Sequence, residues 1–338
     1  ILIADPLAIF YLTGRMIKPF ERFYALYLNQ NGNHKIFINQ LETVPEDLGV
    51  EKVRFTDSDS YMDLVIKTTD HTEPLGIDKN MPARFLLPLI DQKAASGFVN
   101  ASLALDQARA VKDIQEQELM RKASHLNDMA MAEITHFFKE GVTETDLAEQ
   151  LEKIYRDLGA DGLSFEPLFA FGSNAASGHH WPDDTRLKPG DCILVDIGCT
   201  WEGYCSDMTR TFFYKNVTQH QQEVYHTVLK ANEEAEKAVT PGIPLSSLDQ
   251  IARGIITDKG YGSAFTHRLG HFIGLEDHEF GDVSSASADR AVPGNIFSIE
   301  PGVYLENDMG VRVEDLVLVT DHGHEILNHF SKELTVID

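Results

Sequence analysis

The sequence predicts an α+β protein in two parts: a smaller α/β domain over residues 1–111 and a larger domain of helices and antiparallel strand pairs over residues 112–338. At 338 residues the chain is long enough for two domains of ordinary size. Short strand and helix patterns alternate through the first third, and a long amphipathic helix begins where they stop. The remainder runs two helices, a strand pair, two helices and a strand pair, a loose internal duplication.

Ile1-Leu2-Ile3-Ala4 reads as part of a strand without an initiating methionine, so the natural amino terminus is expected to lie upstream. Ala25-Leu26-Tyr27-Leu28 and Lys35-Ile36-Phe37-Ile38 flank Asn31-Gly32, a hairpin signal. Leu75-Gly76-Ile77-Asp78 and Gly97-Phe98-Val99 read as strands, with a helix between them over Pro82 to Asp91. Asp113 and Glu116 form a capping-box pattern at the head of the long helix. Leu119, Ala123, Leu126, Ala130, Ile134 and Phe137 then line one helical face. Further helices are expected from Thr145 to Leu158, ending at Gly159; from Gln219 to Val239, ending at Pro241-Gly242; and from Leu248 to Lys259, ending at Gly260. Cys192–Ile197 is expected to pair with Met208–Tyr214, and Ile296–Glu300 with Val311–Val319.

Composition removes several functional classes. Lysine and arginine total 29 against 53 aspartates and glutamates, a formal charge of −24. Phosphate backbones and anionic membrane surfaces call for a basic face, so neither nucleic acid nor membrane is expected as a partner. No run of about 18 apolar residues offers a membrane span. Cys192, Cys199 and Cys205 are odd in number and confined to one stretch, which argues for a reducing cytoplasm and against a disulfide framework.

The chemistry lies in carboxylates that interrupt apolar strands. Asp196 ends Ile193-Leu194-Val195, and Asp207 follows eleven residues later at the head of the return strand. Glu300 follows Phe297-Ser298-Ile299, and Glu314 sits fourteen residues on within Val311-Arg312-Val313-Glu314-Asp315-Leu316. His271 falls between the two pairs. A bare carboxylate in a buried strand costs several kcal/mol unless it is paired or bound to metal. Two adjacent carboxylates repel until a cation or a proton separates them. Singly, each residue has an ordinary explanation as a turn former, a solvated acid or a core histidine; the repeated pattern singles them out. Four carboxylates and one imidazole can hold two divalent ions about 3.5–4 Å apart, the span used for hydrolysis. Mostly hard oxygen donors favour manganese or a similar ion over a thiolate zinc site.

These residues resemble those of the pita-bread metallopeptidases. The segment from Asp196 to Asp207, with Met208-Thr209-Arg210-Thr211 after it, is similar to that family's double-aspartate segment. His267-Arg268-Leu269-Gly270-His271 through His278-Glu279 is similar to its histidine segment, and Glu300-Pro301-Gly302 and Glu314-Asp315 to its glutamate segments. Phe171-Gly172-Ser173-Asn174 through His179 resembles the segment that carries a substrate-side histidine. The order agrees and covers nearly the whole carboxy-terminal domain. The resemblance implies a pita-bread, creatinase/aminopeptidase-like domain preceded by a smaller α/β domain. Asp196, Asp207, His271, Glu300 and Glu314 would be the metal ligands, with Asp207 and Glu314 bridging. The ions would be two per chain, most often manganese, with cobalt or zinc as alternatives. Glu300 would also handle the proton of the attacking water. His179 and His278 would face the substrate carbonyl, His267 would line the pocket, and Arg312 would support a carboxylate ligand. The ordinary alternative for His278 is a salt link to Glu279 or a neighbour; His180 reads as a surface residue.

The additional amino-terminal domain points to the proline-specific branch, and Tyr11-Leu12-Thr13-Gly14 with Glu21-Arg22 resembles the start of bacterial prolidases. The expected activity is cleavage before proline in Xaa-Pro dipeptides by a cytoplasmic homodimer. An aminopeptidase P acting on longer peptides is the nearest alternative, and a non-catalytic peptide-binding module is the alternative from another class. Two positions depart from the family. Phe272 replaces a glycine after the metal histidine and is expected to narrow the pocket or shift the loop behind it. Ala286 stands where many prolidases have the arginine that holds the substrate carboxylate, leaving Arg22 or Arg290 as candidates for that task.

Overall fold

In the computed structural model, which describes residues 1–45 and 47–338, the chain divides into units Ile1–Gln107 and Ala108–Asp338. The first is built on a six-stranded mixed sheet in the order Glu51–Phe55, Lys35–Asn39, Ala25–Tyr27, Leu2–Ile3, Pro74–Ile77, Gly97–Asn100. The expected hairpin is present, with Leu26 opposite Ile36. Successive side chains point to opposite faces of a strand. Phe37 accordingly joins one core with Phe23 and Phe85, while Ile36 and Ile38 join another with Ile9 and Leu26.

The second unit shows the duplication directly. Helices Ile114–Thr135 and Glu144–Leu158 cover one face of a sheet ordered Val336–Ile337, Met208–Tyr214, Cys192–Ile197, Leu168–Phe171. Helices Gln219–Ala238 and Leu245–Asp258 pack in a second core with the sheet ordered Glu279–Val283, Gly270–Phe272, Ile296–Ile299, Asp315–Thr320, Gly323–Ile326. Three of these helices have a local reason to begin where they do. Asp113 with Glu116, Thr143 with Asp146 and Thr218 with Gln221 form capping boxes that satisfy otherwise orphaned N–H groups. Gly159 ends the second helix at φ 82°, a conformation that glycine adopts without steric cost.

Three expectations change. The long helix ends at Thr135, so Phe137 follows it in a turn, and Met120 is the buried residue where Leu119 was expected. The helix expected from Leu248 starts a turn earlier, after Pro244. The single strand expected over Val311–Val319 is two strands, Met309–Arg312 and Asp315–Thr320. The first pairs with Gly302–Leu305 in a hairpin and the second with Ile296–Ile299 in the larger sheet, so Val313 and Glu314 lie where the chain passes from one to the other.

Candidate metal centre

Strand alternation delivers the first carboxylate. Ile193, Val195 and Ile197 face the core under the first helix pair, and Cys192 and Leu194 face the other. Asp196 continues the second row. Met208–Tyr214 returns antiparallel beside it, which brings Asp207 to the end of the same strand pair. On the second sheet Phe297 and Ile299 enter the core, and Ser298 and Glu300 take the alternate positions. His271 is set by its neighbours: Gly270 approaches the Ser298 carbonyl so closely that no Cβ fits, and the His271 N–H donates to Ser298 Oγ at 3.0 Å.

These elements converge on a cavity of about 550 Å³ lined by Asp196, Asp207, His271, Glu300 and Glu314. His271 Nε2 lies 3.4 Å from Asp207 Oδ2 and 3.5 Å from Glu300 Oε1. Its Nδ1 faces the Phe272 carbonyl at 3.2 Å. A carbonyl only accepts, so Nδ1 carries the proton and Nε2 turns its lone pair towards the carboxylates. Burial pushes this imidazole's pKa down to about 4, which keeps it neutral, the form that binds metal. Ligand atoms of Asp207, His271 and Glu314 lie within 4.8 Å of one another.

The carboxylates ask for a cation. Burial, then repulsion by Glu314 and Asp196, holds the Asp207 carboxyl well above its ordinary range. Burial, then Glu300 and Asp196, does the same to Glu314. Asp196 Oδ1 and Asp207 Oδ1 are buried without a hydrogen-bond partner. Unpaired buried carboxylate oxygens of this kind are costly, and divalent ions satisfy them. The donor set therefore fits divalent ions.

Supporting groups fix these side chains. Arg312 donates from Nη2 to Asp196 Oδ2 at 2.6 Å, from Nε to Thr209 Oγ1 at 2.9 Å and from Nη1 to the Tyr304 hydroxyl at 2.7 Å. Thr209 donates in turn to Glu314 Oε2 at 2.6 Å, and Ser298 to Glu300 Oε1 at 3.0 Å. His267 is committed: its Nδ1 donates to the Arg268 carbonyl at 2.7 Å and its Nε2 accepts from Tyr304 at 3.0 Å. It therefore offers the cavity a ring face. His179 and His278 also line the cavity. The His278 ring stacks on His271 with centroids 3.8 Å apart, and its Nδ1 accepts from Arg268 Nη2 at 3.0 Å.

Several readings are corrected. Of the two partners the ordinary alternative allowed His278, Glu279 is held instead by Arg109 at 2.6 Å and Lys112 at 2.9 Å, whereas the neighbour Asp277 does approach it, with Oδ2 at 3.5 Å from Nε2. His180 is not a surface residue. Its Nε2 meets Oε2 of the fully buried Glu144 at 2.6 Å, and Glu144 also accepts from Phe171 N and Asn174 Nδ2. This network ties down the loop that carries His179. Phe272 does not narrow the cavity. It points to the opposite side of its strand, against Phe297, and Gly281 leaves it room. Arg290 is exposed and donates to the Gly242 carbonyl at 2.7 Å, outside the cavity lining. The expectation for Arg22 is not corrected: the residue lies in the amino-terminal unit, where Asp57 pairs with it at 2.9 and 3.0 Å.

Sequence reasoning missed Arg268, Asp277 and Tyr304, all in the lining. Asp277 is the strongest omission. Its carboxyl is pushed up to about 7 by burial and then by Asp196 and Glu300. In sequence it stands among acids in Glu276-Asp277-His278-Glu279, with nothing local to single it out.

Similarity to known proteins decides the family. A model described as metallopeptidase family M24 matches residues 118–321, and one described as creatinase/prolidase N-terminal domain matches residues 1–111. The chain belongs to metallopeptidase family M24. An uncharacterised peptidase of Staphylococcus aureus is 36% identical over 341 residues, covering 98% of this chain and 94% of that protein. A dipeptidase from Pyrococcus horikoshii OT3 superposes with a TM-score of 0.93 at 31% identity, over 99% of this chain and 95% of the other. A prolidase from Thermococcus sibiricus gives 0.93 at 32% identity, over 99% and 94%. The expected α+β architecture, a pita-bread domain after a creatinase-type domain, is thus that of an M24 peptidase. No helix among the described residues is long and apolar enough to cross a membrane.

Proposed function

We propose that this M24 peptidase cleaves the peptide bond before proline in Xaa-Pro dipeptides, with two divalent ions, manganese by donor chemistry, held by Asp196, Asp207, His271, Glu300 and Glu314. The observation that carries the hydrolytic reading is the convergence of these five groups, with orphaned carboxylate oxygens, on one cavity. The similarity to a dipeptidase and a prolidase supports the substrate class. The buried free thiols of Cys192, Cys199 and Cys205 suit a reducing cytoplasm. Bound ions of this kind bring the pKa of coordinated water towards neutrality and polarise a carbonyl. The chain's own residues supply the rest. Arginine has no acceptor, so His278 Nδ1 must accept from Arg268 and a neutral ring carries its proton on Nε2. That N–H, 3.5 Å from Asp277 Oδ2, is free to turn to the scissile carbonyl oxygen. Glu300, gripped by Ser298, carries a proton from water to the departing proline nitrogen.

His278→Ala is expected to keep its metal and lose turnover by about 10²–10³, the value of one oxyanion donor. Elemental analysis beside kcat checks this; loss of metal would move His278 into the ligand set.

Dipeptide preference needs a cation for the free carboxylate, and Arg268 takes that task in place of Arg22 and Arg290. Of the two arginines in the lining, Arg312 is spent on Asp196, Thr209 and Tyr304. Arg268 gives one bond to a neutral ring and pairs with no carboxylate among the described residues. A charge-assisted bond is worth about 1.5–3 kcal/mol, so Arg268→Met should raise KM for Ala-Pro roughly 10–100-fold. Ala-Pro-amide, lacking the carboxylate, should respond far less. An unchanged ratio between the two substrates removes Arg268 from this role. Wild-type preference for Ala-Pro-Ala over Ala-Pro would make aminopeptidase P the better reading.

A further inference from the structure

We propose that Asp277 is a sixth protein ligand of the metal centre, beyond the five that the family pattern assigns. The inference rests on the two-ion reading of that centre. Asp277 lines the same cavity, and its carboxyl lies within hydrogen-bonding reach of Asp207. Its two oxygens differ: Oδ2 is 3.5 Å from His278 Nε2, whereas Oδ1 is buried without a partner. Asp196 Oδ1 and Asp207 Oδ1 share that condition in the same cavity. A solvated surface acid, the ordinary explanation for Glu276-Asp277-His278-Glu279, keeps both oxygens in contact with water; this one does not. Ligand atoms of His271, Asp277 and His278 also lie within 4.8 Å of one another, so Asp277 reaches the imidazole already facing the ions.

The loop is built to hold Asp277 there. Glu279 accepts from the Leu275 N–H at 2.9 Å and is clamped by buried Arg109 and Lys112, which fixes the chain on both sides of Asp277. Charge agrees as well. Two divalent ions and the Arg312 guanidinium together balance Asp196, Asp207, Asp277, Glu300 and Glu314. A further hard oxygen raises the coordination number open to one ion and favours manganese over tetrahedral zinc.

The test counts ions. Wild-type protein, Asp277→Asn and Asp277→Glu are stripped by chelation and dialysed against graded manganese, with bound metal measured by elemental analysis and folding by circular dichroism. Wild type is expected to take two ions per chain. Asp277→Asn keeps the side chain's shape and should weaken one of the two sites by more than about 100-fold, beyond the roughly 10–100-fold cost of losing a group that only supports a ligand. Asp277→Glu restores the charge and should recover most of the affinity. Two sites of wild-type affinity in Asp277→Asn overturn the proposal, and a fall in kcat with that unchanged isotherm would make Asp277 a positioning residue for His278. Wild type that binds no manganese instead overturns the two-ion reading, and the proposal with it.

Discussion

Chelation is expected to take peptide hydrolysis by this protein to background, and a divalent ion added back to restore it. The expectation follows from oxygen atoms that nothing in the protein satisfies. Asp196 Oδ1 and Asp207 Oδ1 are buried and unpartnered, and the nearest groups to Asp207 include further acids. Without ions the cluster must take up protons or bear repulsion, and in either state no group in the cavity brings water towards hydroxide at neutral pH. The same cost appears in stability. Ions at about 1,000 times their dissociation constant stabilise by about 4 kcal/mol, roughly 8–16 °C in Tm for a domain of this size. The pH dependence has a definite sign. Asp277 rises from an ordinary 3.8 to about 7 in the folded metal-free chain, and Asp207 and Glu314 are raised as well. A carboxyl raised by folding favours the folded state fully below its unfolded pKa, and that advantage is lost as pH climbs through the folded value. The metal-free protein therefore loses stability between about pH 4 and 7, where the loaded protein is protected. Scanning calorimetry should find the gain from manganese larger at pH 7.5 than at pH 5. Full activity in a preparation shown by elemental analysis to be ion-free would refute the metal mechanism.

What could be read in advance, and what could not, divides along physical lines. Cys192–Ile197 was legible as an apolar run closed by Asp196, and Met208–Tyr214 as its return strand beyond the turn with Gly198 and Gly203, a local signal. The helix beginning at Ile114 was legible through its capping box and apolar face, and the one beginning at Gln219 through its stop at Pro241-Gly242. The strand holding Glu314 was misread as continuous because both of its halves are buried, and apolar pattern alone does not reveal a change of sheet partner. Phe272 was misjudged for want of its direction: the side chain's face is set by strand register, and its space by Gly281, residues away in sequence. His180 depends on Glu144, and Arg268 on the lack of a carboxylate partner among the described residues, long-range facts with no local trace. Asp277 was hidden by its acidic neighbours, since burial of one oxygen distinguishes it and composition does not.

Asp207→Asn should lose at least one of two ions and about 10³-fold or more in turnover. The residue is 4% exposed, so the variant amide gains little from solvent. Its shape is nearly that of the acid, which makes charge and lone pairs the only substantial change. Asp207 Oδ2 sits 3.4 Å from the His271 nitrogen that offers its lone pair, and Oδ1 has no partner in the protein. A ligand that bridges two cations must supply charge to both, and an amide turns one oxygen into a donor that repels them. Several kcal/mol of transition-state stabilisation go with a displaced ion, and each 1.36 kcal/mol is tenfold in rate. A second measurement separates this account from simple damage to the fold. In the metal-free state Asp207 is held above its ordinary pKa by burial, Glu314 and Asp196, so removing its charge relieves repulsion. Metal-free Asp207→Asn should then melt at or above the temperature of metal-free wild type at pH 7.5, while the loaded proteins rank in the opposite order. A variant that keeps two ions per chain with wild-type turnover would show that Asp207 is no ligand; one that melts lower in both states would show that its role is packing.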